Sequence, residues 1–509
     1  MNTFEQNYWS LYLDFLEDFK DLNYKGYSIA YLCHYRSLLN KDLKAAEGMA
    51  HPAFSKNLRN NVKNTSEVQA KFSAFKALHQ KPLKKNTDGK VIFHDVYKLL
   101  RFPNETFAKY FDSKSILLFQ ERGRAKQRVS KSKTQPKTSK KKIKKNKKKN
   151  PKKRTSSTMK RTRRNVKGKQ VVKQVSMTPN YFDSYQINNK AAISKMKQKA
   201  TGLINTFKGH PVYSDEIFRK RFFIQIAKII NRIEEAGKLF RSVPVTAVVV
   251  PSTHYPESRT LVMVAAAHGI PTICMQHGII SGEFGYLPKI ADYDAVYGPF
   301  EVDWYRKNGI SKKAMEIIGH PRFDMIHSAP KLNKEKLAQK LGAHPKKRNV
   351  LVIVRGNNQL KSWKKFLAKL RSNKNLNIIV KDFPNSKPHK LSKTHSSILS
   401  AHGCQLYDLI QFADVVVSYS STVGLEAILA KKPVFILNEP FPGYSGYYTS
   451  LGKLVQKDPG VLAELVLDFF KSDQMKNYTY SKMNKFLAQS YSTKQSSGRR
   501  LADLIQRFR

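Results

Sequence analysis

The feature that most restricts the fold is a succession of short apolar runs, rich in β-branched residues, each followed by a stretch with helical spacing. The run at 245–250 (VTAVVV) shows no steady polar alternation, and 415–417 (VVV) and 434–437 (VFIL) are wholly apolar. Such strands are buried on both faces, which is the condition of a parallel sheet covered by helices. Strands are predicted at 245–250, 272–275, 295–297 and 316–318, with helices at 217–240, 257–268 and 301–308. A break rich in Lys, Pro and Asn follows at 329–347. The pattern then restarts, with strands at 350–354, 376–380, 415–418 and 433–437 and helices at 360–370, 406–412, 422–430 and 461–470. The fold class is therefore α/β, as two Rossmann-like domains. Ligands of such sheets bind beyond the carboxyl ends of the strands, here in the cleft between the halves.

The first hundred residues read differently. Trp9, Tyr12, Phe15, Leu16 and Phe19 recur at helical spacing with Asp14, Glu17 and Asp18 between them, which predicts an amphipathic helix with an acidic outer face. Residues 1–112 are accordingly assigned to a helical N-terminal region, and the run SILLF at 115–119 to the first strand of the following domain. That domain comprises 113–121 plus 177–328. The second spans 345–480, and 481–509 is predicted as a C-terminal helix.

Charge is concentrated in one place. The chain carries 93 Lys+Arg against 37 Asp+Glu, a formal net charge of +56. Residues 122–169 hold 24 Lys or Arg and no acidic residue. With almost nothing to bury, 122–176 is expected to be a disordered basic insertion. Such a field attracts polyanions: an anionic polymer, a membrane surface, or nucleic acid without sequence preference, since no aromatics are interleaved for base stacking. Cys33, Cys274 and Cys404 stand far apart, which excludes a disulfide scaffold and fits a reducing compartment. No apolar run reaches the length of a membrane span, and the first residues are acidic rather than basic. The expected location is the cytoplasm, including the inner face of the membrane or a spore surface.

Three segments could carry chemistry. Ser420, Ser421 and Thr422 lie between a strand and a helix, where hydroxyls and free first-turn N–H groups can hold an anion; a plain helix cap is the bland alternative. Glu426, one turn deeper, could accept hydrogen bonds from a ribose diol. Gln276-His277-Gly278 closes a strand, placing His277 where a general base would point into the cleft. Gly319-His320-Pro321-Arg322 closes another; Gly319 permits close approach, and His320 or Arg322 could meet a phosphate. Arg355 follows a fourth strand and offers one more guanidinium. Asp292-Tyr293-Asp294 has the look of a metal-binding pair but precedes its strand, so no metal is expected. His254, Glu257 and Arg259 follow the strand at 245–250 and are expected near the cleft.

Taken in order, Gln276-His277-Gly278, Tyr297-Gly298, the stretch Gly319 to Asp324, Ser420-Ser421-Thr422, Gly424-Leu425-Glu426-Ala427 and Lys432-Pro433-Val434 resemble bacterial two-Rossmann (GT-B) transferases. The resemblance covers about residues 245–470. It is nearest the CDP-glycerol glycerophosphotransferase-like and capsule or spore-coat polysaccharide biosynthesis proteins, and more distant to UDP-N-acetylglucosamine 2-epimerases. It implies transfer of a sugar or glycerol phosphate from a UDP- or CDP-linked donor to a cell-surface polymer, with no cofactor and no metal. Ser420, Ser421 and Thr422 would hold donor phosphates, with Gly319, His320, Arg322 and Arg355 as further donor contacts. Glu426 would hold the ribose, and His277 would be the base. Relatives carry Lys-x-His-Pro where this chain has Lys381-Asp382-Phe383-Pro384. That departure keeps open a second reading, a retired transferase fold that binds polyanions through its basic tract.

Overall fold

The computed structural model describes residues 1–39, 48–121, 178–210, 212–328, 333–382, 387–439, 441–491 and 495–509. The basic insertion expected at 122–176 lies outside them, as do Phe383 and Pro384.

Two parallel sheets organise the rest, both within one compact unit. A small antiparallel hairpin, β1 (Asn23–Tyr24) and β2 (Tyr27–Ser28), precedes them. The first sheet comprises β3 (Lys90–Asp95), β4 (Ile116–Gln120), β5 (Asn180–Tyr181), β6 (Val245–Val250), β7 (Thr272–Met275), β8 (Tyr293–Val296) and β9 (Met315–Ile317). Its order is β5-β4-β3-β6-β7-β8-β9. The second contains β10 (Arg348–Ile353), β11 (Leu376–Lys381), β12 (Ile398–Ser400), β13 (Val415–Tyr419), β14 (Val434–Leu437) and β15 (Val455–Gln456), in the order β12-β11-β10-β13-β14-β15. Each sheet grows outward in one direction and then restarts on the other side of its first strand. The reversals fall between β3 and β6 and between β10 and β13, the positions where open α/β sheets bind ligands.

The alternation of side chains explains how the first sheet is covered. Val91 and Phe93 of β3, with Ala247 and Val249 of β6, face one way and pack against Leu501, Leu504, Ile505 and Phe508. Ile92, Val248 and Val250 face the other way, onto Ile226, Ile229 and Ile233 of the long helix Glu216–Ser242. One face of the first lobe is thus covered by the helix Ser497–Gln506, which comes from the far end of the chain.

Several boundaries differ from the sequence reading. Residues 1–112 are not all helical, because β3 lies within them and forms the centre of the first sheet; β4 is its neighbour, not its first strand. On the helix Thr3–Asp18 only Glu17 of the three expected acidic residues is exposed. Asp14 accepts from the backbone N–H groups of Arg59 and Asn60, Asp18 accepts from the Tyr213 hydroxyl, and both are buried. The break at 329–347 contains a helix, Lys334–Leu341, whose Leu337 and Leu341 join the core of the second lobe. The C-terminal stretch is two helices, Asp473–Ser490 and Ser497–Gln506, on different lobes. All three cysteines are buried and free. Among the described residues, no helix is long and apolar enough to cross a membrane.

Candidate functional site

Both strand-order reversals open onto one cavity of about 380 Å³. The second lobe supplies Val354 and Arg355 after β10, Lys381 and Asp382 at the end of β11, and the turn 419–422 at the end of β13. The first lobe supplies Leu99 and Arg101 beyond β3, and His277, Gly278, Ile279 and Tyr286 beyond β7. A second pocket of about 470 Å³ adjoins it, sharing Ser281, Arg355, Tyr419 and Ser420 and continuing to Trp363, Glu439 and Phe441.

The two loops at the centre touch. Ile279 N donates to the Thr422 hydroxyl oxygen at 3.1 Å, and a Cβ on Gly278 would sit 3.0 Å from that oxygen. Only a residue without a side chain lets the chain pass so close at 278. Ser421 precedes the helix Thr422–Leu429, but its side chain does not cap it; the hydroxyl meets Ser418 Oγ at 2.9 Å. Gly424 N donates to the Ser421 carbonyl and Leu425 N to the Tyr448 hydroxyl, which leaves the N–H groups of Thr422 and Val423 at the cavity wall with the positive end of the helix dipole.

His277 is held in one protonation form. Its Nδ1 lies 3.0 Å from the Pro251 carbonyl oxygen, which can only accept, so Nδ1 carries the hydrogen and Nε2 keeps its lone pair. Burial lowers its pKa to about 4, against the opposing effect of the Pro251 bond. Its ring stacks on Tyr286, with centroids 5.3 Å apart. The imidazole is neutral, oriented and able to accept a proton at Nε2.

The cavity is cationic. Arg101, Arg322, Arg355 and Lys381 face two carboxylates, Glu426 and Asp382. Arg322 pairs with Glu426 at 2.9 Å, and both are almost wholly buried. Burial raises the Glu426 carboxyl, and the Arg322 charge works against that rise. Among the described residues, neither Arg101 nor Arg355 has a carboxylate within ion-pair distance. Asp382 accepts from Gly356 N at 2.9 Å, and Lys381 Nζ donates to the Cys404 carbonyl at 2.9 Å.

The structure thus brings together His277, Arg322, Arg355, Ser420, Ser421, Thr422 and Glu426. It does not bring in Gly319 or His320. Gly319 has a φ of 78°, and a Cβ there would lie 2.5 Å from the Tyr491 hydroxyl oxygen; it is the seat of the C-terminal segment. His320 is fully buried, with its N–H on that same hydroxyl and Nδ1 accepting from Arg322 N. Arg322 holds Glu426 Oε1, so a ribose contact would share that carboxylate with the guanidinium. His389 does not replace the missing histidine of the Lys-x-His-Pro pattern: one ring nitrogen meets Gly356 O and the other accepts from Leu391 N. Arg259 is buried and donates to the Thr253, Cys33 and Tyr31 carbonyls. Asp294 pairs with Lys289 at 2.5 Å, and Asp292 with Lys76. Among the described residues there is no group of three or more His, Cys, Asp or Glu that could hold a metal ion.

Sequence reasoning missed Arg101, Tyr286 and the adjoining pocket. Arg101 follows β3, so recognising KVIFHD as a strand would have put it at a strand end like the others.

Comparison with known proteins finds similarity over part of the chain. The profile of LpxB, lipid-A-disaccharide synthetase, matches residues 286–439, which takes in the turn 419–422 and Arg322, Arg355 and Lys381 but not His277. A lipid-A-disaccharide synthase of Geobacter sulfurreducens is 26% identical over 203 residues, covering 37% of this chain and 51% of the relative. One from Geobacter metallireducens is 27% identical over 167 residues, covering 31% of this chain and 42% of the relative. The chain spans about half the length of the curated relatives it matches. Solved structures similar to it include the wall teichoic acid polymerase TagF (12% identity, 87% of this chain and 93% of that one, TM-score 0.44). A Staphylococcus aureus MnaA–UDP structure is similar at 10% identity, over 82% of this chain and 96% of that one, TM-score 0.47. The two parallel sheets, each with its own strand-order reversal, are two Rossmann-like halves, as the fold class expected.

Proposed function

We infer that the chain is a transferase that moves a sugar or glycerol phosphate from a nucleotide-linked donor to a hydroxyl acceptor of the cell envelope. The supporting observation is the cavity between the strand-order reversals, where a neutral histidine faces an excess of two positive charges. A donor with a diphosphate linkage carries about that much negative charge. Its phosphates would lie against the N-terminus of the helix Thr422–Leu429 and Arg355, with Arg101 closing from the other lobe. Its nucleoside would occupy the adjoining pocket, where Phe441 is 46% exposed and Glu439 accepts from the Ser362 hydroxyl.

In the reaction, His277 Nε2 takes the acceptor hydroxyl proton as that oxygen bonds to the transferred carbon or phosphorus. The bond to the nucleotide phosphate breaks, and the charge left on the departing oxygen is met by the guanidinium groups and the helix N–H groups. UDP and CDP and their linked donors should raise the melting temperature, and Arg355→Gln should remove the effect. If no nucleotide shifts the melting temperature, the transferase reading fails and the retired-fold alternative takes its place.

A further inference from the structure

The loop 96–103 that delivers Arg101 is unusual in its backbone. Tyr97, Lys98 and Arg101 have φ of 53°, 57° and 51°, and none is glycine. Left-handed conformations are costly for bulky residues and persist where the surroundings enforce them. Here they present one ring. Tyr97 is 49% exposed, yet it is not loose. Its hydroxyl donates to Glu257 Oε1 at 2.7 Å and accepts from Lys228 Nζ at 3.0 Å. Its ring meets Tyr255 edge to face, with centroids 4.8 Å apart, and His34 lies against the other side of Tyr255 at 5.3 Å.

The platform sits at the strand-order reversal of the first lobe. Tyr97 follows β3, and Tyr255 and Glu257 follow β6. Two residues beyond Tyr97, Leu99 is already in the wall of the cavity. Pro251, whose carbonyl orients His277, begins the segment that carries Tyr255.

Its chemistry selects a ligand. Tyr97 is held and half exposed, with Lys228 Nζ 5.7 Å from its ring centroid, and an exposed part of such a ring favours the C–H face of another ring. The rim offers hydrogen-bonding groups: the Lys228 amine, and Glu257, more than nine-tenths buried, whose Oε2 has no hydrogen-bond partner. Lys228 and Glu257 are 2.5 Å apart and cancel each other's charge, so the rim gives a phosphate no net attraction. An acyclic polyol phosphate has neither a ring to stack nor a counter-charge here.

We propose that Tyr97, backed by Tyr255 and rimmed by Glu257 and Lys228, is the acceptor platform, and that it takes an uncharged, hydroxyl-rich saccharide ring. This rests on the transferase reading and narrows it, because glycerol phosphate could still be the transferred group but not the acceptor terminus.

The test is saturation-transfer NMR on the full chain with saturating UDP or CDP, using methyl glucoside, methyl N-acetylglucosaminide and sn-glycerol 3-phosphate as probes. The glycosides should show transfer concentrated on one C–H face. Tyr97→Phe should keep that signal, and Tyr97→Gly should reduce it about tenfold. The glycine variant relieves the left-handed backbone but loses the Glu257, Lys228 and Tyr255 contacts, so an unchanged circular dichroism spectrum and an unchanged nucleotide shift are required to show that loss of signal is not loss of fold. Arg355→Gln should abolish the nucleotide shift and leave glycoside transfer, measured without nucleotide, unchanged. Glycoside signals that survive Tyr97→Gly, or transfer to sn-glycerol 3-phosphate alone, overturn the proposal. Failure of the nucleotide shift with intact Tyr97-dependent glycoside binding would instead overturn the transferase reading.

Discussion

Replacing Glu426 by Gln separates the role its position suggested from the one its contacts show. The Arg322–Glu426 pair is buried, with side-chain exposures of 8% and 5%. Removing one member of such a pair leaves an uncompensated charge and costs about 3–5 kcal/mol. The two members are not equivalent. A guanidinium cannot give up its proton, so Glu426→Gln should incur the full cost. Glu426 can take a proton once Arg322 is gone, and burial already raises its pKa, so Arg322→Met should cost less. That smaller cost should shrink further as pH falls and the carboxyl neutralises. The double variant Arg322→Met/Glu426→Gln should recover most of the loss, giving a coupling energy of about 2 kcal/mol or more. Urea midpoints followed by circular dichroism and intrinsic fluorescence would measure all three. A Glu426→Gln change within about 0.5 kcal/mol of the parent, additive with Arg322→Met, would refute the pair. If that variant also weakened nucleotide binding, Glu426 would be the ribose ligand the sequence suggested.

Other outcomes follow from the same contacts. With His277 lowered to about 4, the transfer rate should be flat above roughly pH 5, and an acid limb near 6.5 in the pH–rate profile would contradict the neutral base. Burial pushes Glu283 up to about 7 despite the Trp9 Nε1–H bond of 2.6 Å; the folded state then holds the extra proton, so stability falls as pH rises from 4.5 to 7, by at most about 3 kcal/mol. Glu283→Gln should flatten that slope in denaturant titrations across the range. Gly319→Ala places a methyl group 2.5 Å from the Tyr491 oxygen at a φ of 78°, so a loss of about 2 kcal/mol or more is expected in urea unfolding, with nucleotide affinity unchanged.

Four of the six strands of the second lobe were legible; β12, β15 and the helix Lys334–Leu341 were not. The four are apolar runs bounded by clear turns, and the helix 360–370 coincides with Leu360–Leu370. The turn at 420–422 was found for the same reason, but whether it holds an anion or only caps the helix could not be read from small hydroxyl residues between a strand and a helix. The first lobe was harder. KVIFHD begins with Lys90 and ends in His94-Asp95, and its neighbours read as helix, so the polar ends hid a central strand. Asp14 and Asp18 looked like a solvated face because their partners, Arg59, Asn60 and Tyr213, lie 41 to 195 residues away. Gly319 and His320 were misread through the same blindness. A glycine that admits a ligand and one that admits Tyr491 look alike in sequence, and the hydroxyl that meets His320 N is 171 residues distant. Arg322 and Glu426 were each placed correctly, but that they hold one another was not visible from either.

The helix Ser497–Gln506 gives the molecule an order of assembly. During synthesis, β3 and β6 leave the ribosome long before Leu501, Leu504 and Ile505 exist. Phe102, Phe107 and Phe111 can cover Phe93 at once, but the rest of that side of the first sheet must wait until the whole second lobe has been made. The nascent chain therefore has an interval in which Ala247 and Val249 are open to chaperones, and it ends only when the helix Ser497–Gln506 swings back to close it.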